Sequence, residues 1–476
     1  MAGAVKSLAK DTVIYGLSSI VGRFLNWLLV PLYTQMLATG EYGIVTNVYS
    51  YVALVLVILT YGMETGFFRF INHEKCKDPM EVYSTTMISV ASTSLAFIAL
   101  IFCFLGPISS AMGCGDHPVY VWMIAVAVAV DAFTAIPFSY LRYRKRPVRF
   151  AMLRCINIGL NIGLNLFFFL VIFDPAVGVG YIFFANLISS LLMLPLLWPE
   201  LTGFRWRFNR RLLRRMLAYS LPLLVLGIAG QMNQNLDKIL YPHLVPGPEG
   251  MSQLGIYGGC CKVALVMMMF TQAFRFAYEP FIFARNRDQG NDKLAAYSDA
   301  MKYFVIFALL IFLGVVFYLD LLRHFISPGY WSGLRVVPII MIADICFGVF
   351  FNLSLWYKLT DKTIWGTWFS LIGLVITVAL NVLLVPRLGY MGCAWTSLAC
   401  YGTMMLVSYF VGRANHPLRY PVKRIGAYLL LAMVLWWIGS MVSTGSSWLD
   451  MAARTSLLLI YVGAVLKFEK IPMIHR

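Results

Sequence analysis

Residues 300–320 have the sequence AMKYFVIFALLIFLGVVFYLD, in which no charged residue stands between Lys302 and Asp320. A helix needs about 20 mostly apolar residues to cross the hydrocarbon core of a bilayer, so this stretch predicts a membrane-spanning helix. The same criterion, applied along the chain, predicts fourteen spans. Their approximate limits are 12–36, 43–68, 84–107, 119–141, 150–173, 178–199, 216–241, 254–280, 300–320, 334–359, 364–385, 390–412, 424–443 and 449–467.

The composition of the whole chain agrees with this interpretation. Of the 476 residues, 60% are hydrophobic and only 12% are charged, whereas an ordinary soluble domain carries about 25% charged residues. So few charged residues cannot cover the surface of a soluble protein of this length. Soluble enzymes, nucleic-acid-binding modules, coiled coils and disordered chains are therefore excluded, and an all-α polytopic membrane protein is predicted.

The net charge of +17 is concentrated in alternate loops. One set contains basic runs such as 205–215, and the other set has only Arg323 and Arg387. By the positive-inside rule the basic set is cytoplasmic, and both termini then lie in the cytoplasm. Topology thus explains the basic residues without nucleic-acid binding. The longest loops of the other set, 242–253 and 320–333, leave no room for the large outer domain of a membrane glycosyltransferase or polymerase.

Weak internal similarity predicts a duplication. Gly43-Ile44 opens the second span and Gly255-Ile256 opens the eighth, an offset of about 210 residues that also relates the ends of spans five and eleven. Six spans per half give the halves the same orientation, so two parallel six-helix lobes are expected around a central cavity. The predicted domains are an N-lobe, a basic cytoplasmic linker, a C-lobe, and two C-terminal spans with a cytoplasmic tail, over residues 1–200, 201–215, 216–413 and 414–476 respectively.

Ionisable residues inside the spans mark candidate sites, because burying a charge in lipid is unfavourable unless it faces a watery cavity or a partner. Arg23 lies deep in the first span, and its guanidinium suits bidentate phosphate binding, although a structural pair with a carboxylate such as Asp131 is the alternative. Lys262 and Arg275 in the eighth span are further candidate phosphate ligands. For residues nearer the cytoplasmic face, such as Arg154, there are two interpretations. The side chain either extends its charge to the membrane surface (snorkelling) or has a functional role.

Two polar runs add further candidates. The seventh span carries Gln231, Asn235, Asp237 and Lys238 within eight residues, a pattern that no lipid-facing helix would carry. These side chains either line the cavity and contact substrate or join two helices. Asn161 is the centre of an i, i+4, i+8 asparagine stripe on the fifth span, which suits substrate contact or helix–helix hydrogen bonding.

Three carboxylates in the spans, Asp131, Asp237 and Asp344, are candidates for coupling transport to H⁺ or Na⁺. The sequence has no Walker A motif, and its six histidines lie in loops or at loop edges. No catalytic residue, cofactor or metal site is therefore predicted.

Three stretches resemble one known family. They are YGLSSIVGRFLNWLLVPLYTQMLATGEYGIV at 15–45, WSGLRVVPIIMIADICFGVFFNLSLWYKLTDKT at 331–363 and NVLLVPRLGYMGCAWTSLACY at 381–401. They are similar to the polysaccharide flippases of the multidrug/oligosaccharidyl-lipid/polysaccharide exporter (MOP) superfamily, which transport lipid-linked oligosaccharides of the O-antigen, lipopolysaccharide and capsule type. The Asp-Arg usual in this family near the end of the seventh span is Asp237-Lys238 here.

The resemblance implies fourteen spans, two lobes, and a cationic cavity that opens alternately to the two sides. The implied substrate is an undecaprenyl-pyrophosphate-linked oligosaccharide, and the implied location is the bacterial inner membrane, where the protein contacts membrane lipids and polysaccharide assembly proteins. A transporter rather than an enzyme is implied, with a monomer as the default state. A cation-coupled multidrug antiporter, a lipid II flippase and a membrane glycosyltransferase or polymerase are the alternatives.

Overall fold

The computed structural model describes residues 21–22, 24–72, 78–202, 206–285, 292–360, 362, 364–415, 420–442 and 446–469. Within these ranges the chain is helical and contains no β-strand. The α-helices are α1 (Val30–Met36), α2 (Thr39–Thr60), α3 (Met63–Ile71), α4 (Pro79–Cys103), α5 (Leu105–Ala111), α6 (Pro118–Tyr143), α7 (Pro147–Leu170), α8 (Gly180–Leu196), α9 (Trp198–Leu201), α10 (Arg210–Leu244), α11 (Pro248–Arg285), α12 (Asp292–Phe317), α13 (Leu319–Leu322), α14 (Val336–Leu353), α15 (Leu355–Leu359), α16 (Ile364–Leu388), α17 (Tyr390–Asn415), α18 (Val422–Met441) and α19 (Ser447–Glu469). Two 3₁₀ segments, Arg323–Phe325 and Pro328–Arg335, precede α14.

Twelve helical segments of the described chain are long and apolar enough to cross a membrane. Each corresponds to one of the predicted spans, which confirms an all-helical multi-pass membrane protein. The predicted span 178–199 corresponds to α8, which at 17 residues is shorter than these twelve. The predicted span 12–36 falls partly on residues outside the described ranges, so the count of fourteen remains a prediction.

The helix starts follow from local sequence. Proline occupies the first turn of α4, α6 and α7, where the absent N–H has no intrahelical partner to lose. The Asp78 side chain accepts a hydrogen bond from the Met80 backbone N–H at 2.9 Å and so caps α4. Asn209 caps α10 in the same way, through the backbone N–H groups of Arg211 and Leu212.

The helix breaks inside the predicted span 43–68. Tyr61 and Gly62 have φ angles of 31° and 70°, and these left-handed residues separate α2 from α3. Gly62 packs against α10, since a Cβ there would lie 3.0 Å from the carbonyl oxygen of Ser220. Irregular backbone at membrane depth is tolerated where protein covers it, and here α10 supplies that cover.

The described chain divides into two compact units. Unit 1 comprises Met1–Gly258 and Ser370–Cys393, and unit 2 comprises Gly259–Phe369 and Ala394–Arg476. One apolar core of unit 1 is built around Phe67, Tyr83 and Met216, all fully buried. The predicted division into lobes rests on the internal repeat and remains a prediction.

In unit 2 the two C-terminal helices are fixed to α12. The Lys302 ammonium pairs with the Glu469 carboxylate at 2.5 Å, and both side chains are almost fully buried. The Tyr428 hydroxyl donates to the same carboxylate at 2.9 Å, and the Tyr461 hydroxyl donates to the Ile306 carbonyl at 3.1 Å. The last two spans are therefore integral to the packing of unit 2.

Within unit 1, helices α2 and α11 meet at two glycines. A methyl group at Gly43 would overlap the carbonyl oxygen of Met251, and one at Gly255 would overlap that of Thr39. The Thr39 and Ser252 hydroxyls hydrogen-bond at 2.6 Å beside this contact. Small residues allow such close helix approach in membranes. Gly43 and Gly255 are also the pair that the predicted repeat makes equivalent.

We predict that Gly43→Ala and Gly255→Ala each destabilise the folded protein by about 1–3 kcal/mol, because the added methyl forces α2 and α11 apart. Thermal unfolding of the purified protein in detergent measures the effect as a lower Tm. Gly40→Ala on the same helix is the matched control, since a Cβ there meets nothing within 4 Å. Equal Tm values for Gly43→Ala and Gly40→Ala would contradict the close contact.

Candidate functional site

The polar run of the seventh span forms a connected group inside unit 1. The Lys238 ammonium lies 3.1 Å from the Asp237 carboxylate, with side-chain exposures of 18% and 5%. The Tyr257 hydroxyl of α11 donates to the same carboxylate at 2.7 Å. The lysine also donates to the carbonyl oxygen of Gln234, at 3.1 Å. This buried ion pair therefore joins α10 to α11.

The amides of this run have other partners. Asn235 donates to the backbone and side-chain oxygens of Gln231 at 3.2 and 3.1 Å, one helical turn earlier. Asn233 donates to the Ser370 carbonyl at 3.0 Å and links α10 to α16. Asn233 therefore joins two helices, in agreement with the predicted alternative in which the polar run links helices. The substrate-binding role of Gln231, Asn235 and Lys238 remains a prediction.

A second group of contacts extends toward the loop between α10 and α11. The Tyr241 hydroxyl donates to the Gln253 amide oxygen at 2.6 Å, and the Gln253 amide nitrogen donates to Glu249 at 3.1 Å. Gly389 packs against the side chains of Tyr241 and Gln253. Polar contacts therefore follow this pair of helices from Asp237 to the loop.

The asparagine stripe of α7 contacts α8. Asn157 donates to the backbone carbonyl of Ser189 at 3.1 Å, and Asn161 donates to its hydroxyl at 3.3 Å. Asn165 donates to the carbonyl oxygen of Asn161 at 2.7 Å. These hydrogen bonds match the helix–helix alternative for the stripe, and a role for Asn161 in substrate binding remains a prediction.

A charged cluster joins three helices of unit 1, α3, α6 and α7. Arg154 of α7 is the charged neighbour of both Glu64 on α3 and Asp131 on α6, and its guanidinium lies 4.0 Å from the ring centroid of Phe138. Arg142 is a second cation beside Glu64. Arg154 therefore interacts with charged groups of the protein and does not only extend toward the membrane surface. Its charge is balanced within the protein by two carboxylates, a partnership that sequence analysis does not identify because it depends on packing.

The acidic coupling candidates differ in environment. Asp131 is half-buried, with Ser190 of α8 as a further polar neighbour. Asp237 is held in the ion pair with Lys238. Asp344 on α14 is buried, with 6% of its surface exposed. Within the described ranges, no group of three or more His, Cys, Asp or Glu side chains could hold a metal ion.

The candidate cations of the eighth span lie in unit 2 and are both exposed. The Arg275 guanidinium lies 4.3 Å from the ring centroid of Phe351 on α14, and the Lys358 ammonium lies 4.4 Å from the same centroid. Tyr357 is a further neighbour of Arg275. Lys358 is not among the predicted site residues, because nothing in the sequence places it on the same ring as Arg275. Arg23 lies outside the described residues.

The comparisons with known proteins agree on the fold. A sequence profile described as polysaccharide biosynthesis protein matches residues 8–273. No curated protein sequence matches the chain significantly. A lipid II flippase structure titled MurJ, inward closed conformation, superimposes with a TM-score of 0.74 at 13% identity, covering 96% of this chain and 98% of the other.

Multidrug transporter structures are also similar. An inward-facing MATE family transporter of the MOP superfamily gives a TM-score of 0.66 at 15% identity, covering 85% of this chain and 95% of that one. A Vibrio cholerae MATE transporter gives 0.54 at 14% identity, covering 87% and 98%. The chain therefore has the fold shared by these flippases and transporters, as the resemblance of its sequence predicts.

We predict that Asp237→Ala lowers the free energy of unfolding by about 3 kcal/mol, because it leaves the buried Lys238 ammonium without its carboxylate. The double variant Asp237→Asn, Lys238→Gln removes both charges and should recover most of this loss. Unfolding of the purified protein in detergent measures both effects. Glu249→Gln, at an exposed carboxylate, is the control with little expected change. A double variant less stable than Asp237→Ala would contradict the ion pair.

Proposed function

The chain belongs to the polysaccharide biosynthesis protein family, and from this premise we propose that it flips undecaprenyl-pyrophosphate-linked oligosaccharide from the cytoplasmic to the periplasmic leaflet of the bacterial inner membrane. The observation that carries the proposal is the presence of cationic side chains within or at the ends of its membrane helices. Lys238, Lys262 and Arg275 all lie in segments long and apolar enough to span a bilayer. Positive groups at membrane depth are unfavourable unless they pair with a carboxylate, as Lys238 does with Asp237, or face a polar path.

The chemistry of the substrate explains why such a path is needed. The headgroup of a lipid-linked glycan combines a diphosphate with sugars, and hydrocarbon offers neither charge neutralisation nor hydrogen bonds. A cationic, water-filled cavity replaces the hydration of this headgroup, while the polyprenyl tail stays in the lipid. Arg23, Lys262 and Arg275 engage the diphosphate, and the polar side chains of Gln231, Asn235, Lys238 and Asn161 contact the sugars.

Transport proceeds by alternating access, in which the cavity opens first to one side of the membrane and then to the other. The similarity in fold to a lipid II flippase and to MATE transporters supports this step. The protein acts as a transporter and not as an enzyme. Its topology, with both termini in the cytoplasm, follows from the positive-inside distribution of the basic residues.

Asp131 couples the cycle to an ion gradient. Its carboxylate lies beside the Arg154 guanidinium, whose positive charge competes with a bound Na⁺ but is compatible with proton exchange. Protonation of Asp131 removes one of the two carboxylates that balance Arg154, and so changes the forces between α6 and α7. This arrangement favours H⁺ over Na⁺ as the coupling ion, with Asp237 and Asp344 as the remaining candidates.

We predict that a strain lacking the protein accumulates lipid-linked glycan in the cytoplasmic leaflet, detected with radiolabelled sugar and leaflet-selective digestion. Arg23→Ala should abolish export at unchanged protein level, because the bidentate phosphate contact is lost, whereas Arg144→Ala in a basic loop should leave export intact. Export at the wild-type rate in the Arg23→Ala strain would exclude a role for Arg23. Normal export in the deletion strain would exclude the proposed function.

The same deletion strain distinguishes the alternatives. Loss of viability rather than of surface glycan indicates a lipid II flippase, and increased sensitivity to organic cations indicates a multidrug antiporter. Glycosyl transfer by the purified protein indicates a membrane glycosyltransferase or polymerase. The cations at membrane depth favour an anionic substrate over the cationic substrates of an antiporter.

We predict that Asp131→Asn removes the dependence of flipping on a pH gradient in proteoliposomes, because an amide cannot exchange a proton. Asp116→Asn, at an exposed loop carboxylate, should behave as the wild type. A rate that responds to the pH gradient equally in both variants would assign coupling to another group.

A further inference from the structure

The first two turns of α10 carry four exposed arginines on one side of the helix, which we call the arginine face. They are Arg210, Arg211, Arg214 and Arg215. Their i, i+1, i+4, i+5 spacing places them within less than half of the helix circumference. The opposite side carries Leu212 and Met216, which are buried in an apolar core of unit 1. This packing fixes the arginine face outward.

The arrangement is electrostatically unfavourable for the helix alone. Positive side chains in the first turns oppose the helix macrodipole, and like charges four residues apart repel each other. The first turn of α10 contains no acidic residue, and the described residues place no carboxylate in an ion pair with any of the four arginines. An anionic partner outside the chain would relieve both effects.

The segment that precedes α10 is held against α4, which gives the arginine face a fixed position. The Arg207 backbone N–H donates to the Ser84 hydroxyl at 2.6 Å, and the Asn209 side-chain amide donates to the Glu81 carboxylate at 2.8 Å. The Asn209 backbone N–H donates to the Thr85 hydroxyl at 3.2 Å. The four arginines are therefore presented by an ordered part of the fold.

The neighbours of the arginine face indicate its depth in the membrane. Trp206 and Phe208, just before α10, are 49% and 52% exposed, and such aromatic side chains are enriched at the membrane–water interface. Seven and eleven residues after Arg214, on the same side of α10, follow Leu221 and Val225, which are 50% and 51% exposed. This apolar continuation suits lipid acyl chains. The arginine face therefore lies between acyl chains and water, at the level of the lipid phosphates.

The length of α10 agrees with this depth. Its 35 residues, Arg210–Leu244, extend about 52 Å at 1.5 Å per residue, whereas the hydrocarbon core is about 30 Å thick. The helix therefore projects beyond the core into the headgroup region. The side on which α10 begins is the side predicted to be cytoplasmic, and the negative surface potential of a cytoplasmic leaflet attracts basic segments.

We propose that the arginine face binds anionic phospholipids of the cytoplasmic leaflet and thereby holds the start of α10 at the membrane surface. The guanidinium groups donate to the phosphate oxygens of these lipids. The ligand is a phosphodiester lipid of the surrounding membrane and not the transported molecule. The proposal therefore does not depend on the identity of the transported substrate.

The test measures lipid binding to the purified full-length protein in neutral detergent by native mass spectrometry. Phosphatidylglycerol should bind at least tenfold more tightly than phosphatidylcholine. Substitution of all four arginines of the face by glutamine should abolish this preference, whereas substitution of all four by lysine keeps the charge and should keep most of it. Retention of the preference in the four-glutamine variant would overturn the proposal.

Two double variants compare this face with other arginines of the chain. Arg211→Gln with Arg215→Gln should weaken phosphatidylglycerol binding about fivefold. Arg335→Gln with Arg387→Gln is the matched control, since it also removes two exposed arginines. These two stand apart in the sequence, near helix ends predicted to lie on the other side of the membrane, and their loss should leave binding unchanged. An equal loss of affinity in both double variants would contradict a site on the arginine face.

Thermal unfolding separates a loss of binding from a loss of folding. Without added lipid, the four-glutamine variant should have a Tm equal to or above that of the wild type, because the repulsion and the opposed dipole are relieved. Phosphatidylglycerol should raise the Tm of the wild type more than that of the variant. An equal rise in both proteins would overturn the proposal. If polyglutamate raises the wild-type Tm as much as phosphatidylglycerol does, the face fits a soluble acidic partner and the proposal is wrong.

Discussion

The burial of charge in a medium without water is the constraint on which the rest of this structure depends. Ionised groups at membrane depth must find partners in the protein or face an aqueous path, and the described helices provide partners of two kinds. Lys238 lies against Asp237, and Arg154 lies between two carboxylates. Arg275 instead contacts an aromatic ring. The contacts of Arg154 and of Arg275 join different helices, and the Asp237–Lys238 pair within α10 is joined to α11 by the Tyr257 hydroxyl. The buried charges therefore also organise the packing of the helices.

The membrane spans could be predicted from the sequence, whereas the partners of the charged residues could not. An apolar stretch such as 300–320 is a local property, and the corresponding helix follows from it. Arg154 lies near both Glu64 and Asp131, and Lys358 contacts the same ring as Arg275. These contacts depend on which helices pack together and on how each helix is rotated about its axis. The polar character of the seventh span was likewise evident from sequence, but the hydrogen bond from Asn233 to Ser370 was not.

Close contact and irregular backbone occur together in unit 1. Gly43 and Gly255 bring α2 and α11 to backbone contact, and the same membrane segment is broken farther along at Tyr61–Gly62. A tightly packed end resists separation, whereas two residues with left-handed φ angles interrupt the helical hydrogen-bond ladder and localise bending. One part of such a membrane segment can bend while another part stays packed.

The two kinds of partnership have different chemical consequences. A carboxylate at 3.1 Å neutralises Lys238 locally, so the Asp237–Lys238 pair has no net charge and interacts with its surroundings mainly through hydrogen bonds. The ring of Phe351, 4.3 Å from the Arg275 guanidinium and 4.4 Å from the Lys358 ammonium, attracts both groups through its quadrupole and leaves their formal charge unchanged. Removal of Asp237 would leave the Lys238 ammonium without its carboxylate. The departure from Asp-Arg to Asp-Lys at this position exchanges a planar fork for a point charge and keeps the ion pair with Asp237.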